Sequence, residues 1–220
     1  MRLILVGAPG AGKGTQARML GEQLQIPHIS TGDLLRSAIQ RGTLVGLQAK
    51  AYMEAGELVP DPIMIRVLEE RLREPDCANG FILDGFPRTL SQASYLNTLL
   101  ERLQTPIEAV VSIEVERDVI IERLSHRLIC PSCHRNYNEK TDQPRVQGVC
   151  NVCGSGLTHR LDDDAVTVMH RLDVYLREIA PLKEFYRVDG LLRSIDGNAS
   201  PQVVEERILA SLPGTARTKG

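Results

Sequence analysis

The segment that most restricts the fold is a glycine-rich turn between an apolar run and a helical pattern. Residues 2–6 are mostly β-formers, and the run GAPGAGKGT follows at residues 7–15. Glycines at such a turn let backbone N–H groups point at phosphate oxygens, and the next helix adds the positive end of its dipole. A turn that merely needs glycines is the alternative, but four glycines, Lys13 and the strand–loop–helix context coincide here. The sequence therefore predicts a phosphate-binding loop.

The position directly after the lysine departs from the general phosphate-loop pattern. Ser or Thr usually stands there to ligate magnesium, whereas this chain has Gly14, with the hydroxyl one residue later on Thr15. We therefore expect Mg²⁺ to be held through phosphates and water, which this ion tolerates well. The predicted phosphate-binding residues are Gly10, Ala11, Gly12, Lys13, Gly14 and Thr15.

Short apolar runs alternate with helical patterns along the chain. The runs cover residues 2–6, 81–83, 109–113 and 191–195, and helical patterns cover 14–24, 63–73, 91–103 and 165–186. Unalternated apolar runs suit strands that are buried on both faces of a parallel sheet. This order predicts an α/β fold, a doubly wound parallel sheet flanked by helices.

Two segments interrupt the alternation. Residues 31–59 are helical without a following strand, and residues 128–160 combine weak periodicity with prolines, glycines and cysteines. We expect a helical insertion at 30–59 and a small β-rich or loop-rich subdomain at 126–163. The core would then consist of residues 1–29, 60–125 and 164–212, with a flexible tail at 213–220.

Four of the five cysteines form two Cys-x-x-Cys pairs separated by sixteen residues. Two such pairs at this spacing can converge on one tetrahedral zinc ion. All four ligands would be thiolates, so the zinc would be structural and would stabilise a segment too small to build its own core. The predicted ligands are Cys130, Cys133, Cys150 and Cys153; we expect His134 to be a surface residue and Cys77 an ordinary buried thiol.

Composition excludes several classes of function. The formal net charge is −2, 42% of residues are hydrophobic and 25% are charged, as in an ordinary soluble domain. We see no signal peptide and no membrane span, and cysteines reserved for metal suit a reducing compartment. We therefore expect a cytoplasmic protein that binds neither membranes nor nucleic acid, and a monomer.

Two further motifs carry a resemblance to a known family. The chain reads STGDLLR at residues 30–36 and LDGFPRT at 83–89, with Gln92 beyond. Together with the phosphate loop, these motifs resemble adenylate kinase over residues 1 to about 204. The resemblance implies phosphoryl transfer from Mg-ATP to AMP, giving two ADP, in a nucleoside monophosphate kinase of the long-lid, zinc-binding type.

The resemblance also implies the residues of the acceptor site. Arg36 and Arg88 would grip the AMP phosphate, because guanidinium forks suit phosphate oxygens. Thr31 and Gln92 would read the adenine, with help from the backbone of Glu57, Leu58 and Val59. The remaining implied AMP-site residues are Gly85, Phe86, Pro87, Arg160 and Arg171.

On the donor side, the resemblance implies that Arg123 stacks on the adenine of ATP and that Arg127 meets its phosphates. Asn136 and Tyr137 fall where the lid would pack on the donor, and Ala199 where a carbonyl would meet its base. Some relatives carry further arginines where Leu128 and Met169 stand here. The implied catalytic residues are Lys13, Asp84, Arg88, Arg127, Arg160 and Arg171, with Asp84 orienting magnesium through water.

The run of aspartates at 162–164 can either start a helix or support catalysis, and both interpretations stay open. No catalytic base is expected, because the acceptor phosphate is already anionic. GTP as donor, or UMP, CMP or GMP as acceptor, is the alternative within the same enzyme class. A zinc ribbon that binds nucleic acid is a second alternative, but three basic against two acidic residues between 130 and 153 give only +1.

Overall fold

The four predicted apolar runs form strands of one sheet in the computed structural model, which describes residues 1–213. The strands are β1 Arg2–Gly7, β2 His28–Ser30, β3 Phe81–Asp84, β4 Ala109–Glu114, β5 Arg127–Ile129, β6 Asn136–Asn138 and β7 Leu192–Asp196. Five of them pair in parallel in the order β2-β3-β1-β4-β7. The predicted parallel sheet is confirmed, whereas β2 was missed because its three residues include a histidine and a serine.

Helices flank the sheet, as the alternation predicted. They are α1 Lys13–Leu24, α2 Thr31–Gln40, α3 Leu44–Glu54, α4 Asp61–Leu72, α5 Leu90–Arg102, α6 Arg117–Ser125, α7 Ala165–Val188 and α8 Pro201–Ser211. Side-chain oxygens accept backbone N–H groups at several of the helix starts and explain where those helices begin. These caps are Ser30, Thr43, Thr89, Asp164 and Ser200. The sequence patterns missed α6 and α8.

Strand β1 is buried on both faces. Leu3 and Leu5 belong to one hydrophobic core, and Ile4 and Val6 belong to the core on the opposite face. This explains the continuous apolar run, since neither face of the strand meets water. The chain leaves β1 at the carboxyl edge of the sheet, between β3 and β4, where open α/β sheets place their ligands.

Two segments lie outside the alternating layers. Helices α2 and α3 follow each other with no strand between them, in the segment where a helical insertion is expected. Strands β5 and β6 form a separate antiparallel pair, and further isolated bridges connect residues up to 158. The buried hydrophobic residues described there are Ile129, Cys130, Tyr137 and Cys150, so this β-rich segment has little core of its own.

Of the predicted flexible tail at 213–220, residues 214–220 lie outside the described residues. Within residues 1–213, no helix combines the length and the apolar character that crossing a membrane would need.

Candidate functional site

The loop after β1 presents backbone donors to the carboxyl edge of the sheet. Helix α1 starts at Gly12, which has a left-handed backbone (φ 96°) and no side-chain cap. The first N–H groups of a helix have no partner within that helix, so here they face the loop as an anion site. Lys13 extends over the same loop, where its Nζ donates to the carbonyls of Gly7 (2.8 Å) and Ala8 (2.9 Å).

The surroundings of Lys13 bring the pKa of its ammonium group close to neutral pH. Burial lowers the pKa of Lys13 to about 8; Asp84 opposes this shift, and Arg88, Arg171 and Arg127 reinforce it. A bound phosphate would supply the negative charge that favours the ammonium form.

We expect ATP binding to be coupled to protonation of Lys13. The pKa of Lys13 in the protein without nucleotide is about 8. The affinity for ATP should therefore be highest below pH 8 and fall about tenfold for each pH unit above it. Calorimetry at pH 8.8, in two buffers of different ionisation enthalpy, should show uptake of close to one proton per ATP bound. The Lys13→Met variant should bind ATP without taking up a proton. If the unchanged chain also took up no proton, Lys13 would not be the group that ATP binding protonates.

Asp84, at the carboxyl end of β3, faces the phosphate loop. Its Oδ2 lies 3.4 Å from His28 Nε2, and a Cβ added at Gly14 would lie 3.4 Å from the same oxygen. Burial alone would raise the pKa of Asp84, but His28 and Lys13 outweigh it and hold the pKa below its usual value. The result is an ionised carboxylate beside the phosphate loop. His28 escaped sequence reasoning because β2 itself was missed.

A cleft of about 570 Å³ opens beside the loop. It is lined by ten of the twelve residues predicted for AMP: Thr31, Arg36, Glu57, Leu58, Val59, Gly85, Phe86, Arg88, Gln92 and Arg171. Pro87 lines a neighbouring cleft that also reaches Lys13. The two clefts share Arg88 and Arg171, so an anion in the first cleft and an anion on the phosphate loop would meet at the same guanidinium groups.

The arginines in the first cleft donate N–H groups to nearby oxygen atoms. Arg36 Nη2 lies 2.5 Å from Asp33 Oδ1, and Arg88 Nε donates to the Gly85 carbonyl at 2.9 Å. The Arg88 side chain is exposed to the solvent in the cleft. Desolvation by the surrounding protein, reinforced by Arg171 and Arg36, lowers the pKa of Arg88 to about 10, so its guanidinium remains charged at neutral pH.

Asp163 joins Arg127 at the start of β5 to Arg171 on α7. Its side chain is only 3% exposed, and it accepts two bonds from Arg127, one of them from Nε at 2.6 Å. Arg171 Nη1 lies 3.3 Å from the same carboxylate and 2.9 Å from Asp162 Oδ2. Asp164 instead accepts two N–H groups as the cap of α7. The aspartate run thus divides, with Asp164 starting the helix and the other two holding arginines.

The predicted donor-site residues lie around the other side of the phosphate loop. Arg123 Nη2 donates to the Gly197 carbonyl at 2.9 Å, which ties it to the loop that carries Ala199. Asn136 accepts from Arg160 Nη2 at 2.9 Å, and its Nδ2 would lie 3.6 Å from a Cβ at Gly14. Asn136 and Arg160 therefore lie above the phosphate loop.

Tyr137 points away from the phosphate loop. Its side chain is 3% exposed inside segment 126–163, and its hydroxyl accepts the Asn151 N–H at 2.8 Å and lies 3.4 Å from Cys150 Sγ. Any contribution of Tyr137 to a donor site would therefore come from its main chain.

Segments 30–59 and 126–163 contact each other directly. His134 Nε2 lies 3.3 Å from Ser37 Oγ in α2, and Arg160 Nη2 lies 4.0 Å from Asp33 Oδ1. His134, predicted to be a surface residue, is half-buried by this contact. These contacts give a closed arrangement in which both segments surround the phosphate loop. No sequence pattern indicates them, since each joins residues far apart in the chain.

The four paired cysteines converge. Their Sγ atoms all lie within 4.8 Å of one another, including 3.3 Å from Cys130 to Cys153 and 3.5 Å from Cys133 to Cys150. A tetrahedral ion with Zn–S bonds of about 2.3 Å needs sulfurs about 3.8 Å apart, so the cluster could hold a metal. Cys77 is a separate buried thiol, as predicted, and burial raises its pKa to about 11.

Comparisons with known proteins agree with this geometry. The family model described as "Adenylate kinase" matches residues 5–191. The chain is 51% identical over 205 residues to the adenylate kinase of Moorella thermoacetica, covering 93% of this chain and 94% of the relative. It is 49% identical over 212 residues to that of Syntrophotalea carbinolica, covering 96% and 98%. The chain therefore belongs to the adenylate kinase family.

Proposed function

We propose that this protein catalyses the reversible transfer of a phosphoryl group from Mg-ATP to AMP, giving two ADP. The observation that carries the proposal is the shared position of Arg88 and Arg171, which line both the cleft beside α2 and the cleft that reaches Lys13. A monophosphate in one cleft and a triphosphate on the loop would meet at these two guanidinium groups. The relatives that bear the name adenylate kinase support the same reaction.

The acceptor would lie in the first cleft. Arg36 and Arg88 hold its phosphate through forked N–H donors, which match phosphate oxygens better than a lysine does. The base lies between Thr31, Gln92 and the segment at 57–59, all of which line this cleft. Thr31 donates its hydroxyl to the Gly85 carbonyl at 2.9 Å, which leaves its oxygen free to accept.

The donor would lie on the phosphate loop. Gly10, Ala11, Gly12, Gly14 and Thr15 present the loop and the start of α1 to the phosphates, and Lys13 adds its charge. Arg123 and the loop carrying Ala199, already joined through Gly197, flank the base. Arg127, Arg160 and Arg171 surround the transferred group, where charge develops during transfer.

Magnesium fits the chemistry of this site. Asp84 offers an ionised, partly buried carboxylate next to Gly14, and no hydroxyl at position 14 competes for the same space. When bound with ATP, the ion neutralises phosphate charge that the arginines and lysine alone would leave. Asp84 would hold it through water.

Segment 126–163 would act as a lid stapled by structural zinc, and segment 30–59 as the AMP-binding insertion. The four converging thiols support zinc, because soft thiolates in a closed tetrahedron favour this ion. Contacts between the two segments support joint closure, which keeps water from acting as the acceptor. A cytoplasmic monomer that acts on free nucleotides is part of the same proposal.

A panel of acceptors tests the proposed reaction. ADP formation from Mg-ATP should be fast with AMP and at least 10³-fold slower with GMP, CMP, UMP or water. A parallel series with GTP replaces the donor. Fast transfer to a different monophosphate, or a preference for GTP, would keep the mechanism but overturn the assignment of the bases. No transfer to any monophosphate from folded, metal-loaded protein would contradict the proposal.

A further inference from the structure

Two partners of opposite hydrogen-bonding character hold the side chain of Gln92. Its Oε1 accepts the backbone N–H of Arg88 at 2.8 Å, and its Nε2 donates to Asp61 Oδ1 at 2.7 Å. A backbone N–H can only donate and an ionised carboxylate can only accept. A reversed amide would set donor against donor and acceptor against acceptor. The orientation of the Gln92 amide is therefore determined by its neighbours.

Asp61 is itself held firmly. It is the first residue of α4, and its second oxygen, Oδ2, accepts the hydroxyl of Ser91 at 2.6 Å. Gln92 is only 2% exposed and lines the acceptor cleft. A carboxylate on one element thus faces an amide at the start of another, and neither can turn without losing a hydrogen bond.

The Gln92 amide keeps one hydrogen-bond donor and one acceptor for a ligand, in a fixed order. An amide has two N–H donors and two acceptor positions, and one of each is used by Asp61 and Arg88. One donor and one acceptor remain, with the oxygen on the side of Arg88 and the nitrogen on the side of Asp61. Adenine offers an acceptor ring nitrogen beside a donor amino group, which suits this pair. Hypoxanthine and guanine offer the reverse order, a ring N–H beside a carbonyl.

We propose that Asp61, together with the Arg88 backbone N–H, determines the choice of acceptor base by locking the orientation of the Gln92 amide. This inference rests on the proposed function, since it assigns base selection in the same cleft. Asp61 is a positioning residue that acts through Gln92. Without it, the amide could turn over and accept a base with the reversed pattern.

The test compares AMP with inosine monophosphate as acceptors, with ATP as donor, in the unchanged chain and in variants. Asp61→Ala should lower the ratio of kcat/KM for AMP to kcat/KM for inosine monophosphate by about 10- to 100-fold, because the wrong base loses its penalty. Most of the loss with AMP should be in KM, and KM for ATP should stay constant. Asp61→Asn, whose amide oxygen can still accept from Gln92, should restore most of the ratio.

Ser91→Ala is the matched control. It removes the hydroxyl that donates to Asp61 Oδ2, leaves the hydrogen bond between Gln92 and Asp61 Oδ1 in place, and should keep the ratio within about twofold. If Asp61→Ala lowers Tm too far for kinetic measurements, Asp61→Ser takes its place, because a serine side chain is too short to reach Gln92. An unchanged ratio in folded variants would overturn the inference. Failure of the unchanged chain to use AMP would instead contradict the proposed function, whatever the variants do.

Discussion

Replacing Arg88 with alanine is expected to lower kcat for ADP formation by about 10³- to 10⁵-fold, the range found when an arginine that stabilises phosphoryl transfer is lost. The guanidinium is oriented by the Gly85 carbonyl at 2.9 Å and lines both clefts. It would therefore contact the acceptor phosphate before transfer and the shared oxygens during it. Steady-state kinetics with saturating AMP and Mg-ATP measures this loss.

Two further variants show which property of Arg88 matters. Arg88→Lys keeps the charge but loses the planar fork, and it should recover only a small part of the rate. Arg66→Ala removes an exposed arginine that pairs with Glu70 on α4 and should leave kcat unchanged. If Arg88→Ala raised only the KM for AMP and kept kcat, Arg88 would bind the acceptor without stabilising transfer, and its catalytic role would be wrong.

Replacing Cys150 with serine is expected to lower Tm by roughly 10 °C. Segment 126–163 buries few apolar side chains besides Ile129, Cys130, Tyr137 and Cys150, so a bound metal would supply much of the energy that folds it. A loss of about 3–5 kcal/mol is expected when a structural metal ligand is removed. In a chain of this size, 1 kcal/mol corresponds to about 2–4 °C. Thermal melts with and without a chelator measure the effect.

Metal content separates this cause from simple loss of a thiol. Elemental analysis should find one zinc per chain, and the Cys150→Ser protein should hold far less. Cys77→Ser, at a buried cysteine outside the cluster, should keep its zinc and show a smaller fall in Tm. Equal melting of the metal-loaded and metal-free forms would rule out a structural role for the ion.

The layered fold could be predicted because most of its strands are continuous apolar runs. Strand β1 is apolar at every buried position, and the glycine-rich turn after it is typical of a phosphate-binding loop. Strand β2 has only three residues, two of them polar, and owes its place to pairing with β3. No local pattern contains that pairing, so His28 and its contact with Asp84 could not be predicted.

The site, too, could be predicted only in part. The motifs predicted most of the residues that line the cleft beside α2, because a family resemblance transfers individual residues. They did not predict which groups hold those residues. The contacts of Asp33 with Arg36, of Asp61 with Gln92 and of Asp163 with Arg127 depend on folding. Spacing in the sequence cannot separate the helix-starting Asp164 from the two arginine-binding aspartates before it.

The aspartates around the site offset the repulsion between its positive charges. Six cationic side chains gathered in one place would repel each other strongly if water alone screened them. They are Lys13, Arg36, Arg88, Arg127, Arg160 and Arg171. Asp33, Asp84, Asp162 and Asp163 lie among them as internal counter-ions. An arriving phosphate would therefore take the place of a carboxylate beside its guanidinium partner, and a departing phosphate would give that partner back. Neither event would expose a bare cluster of positive charge, so we expect the cleft to keep its stability when nucleotides leave.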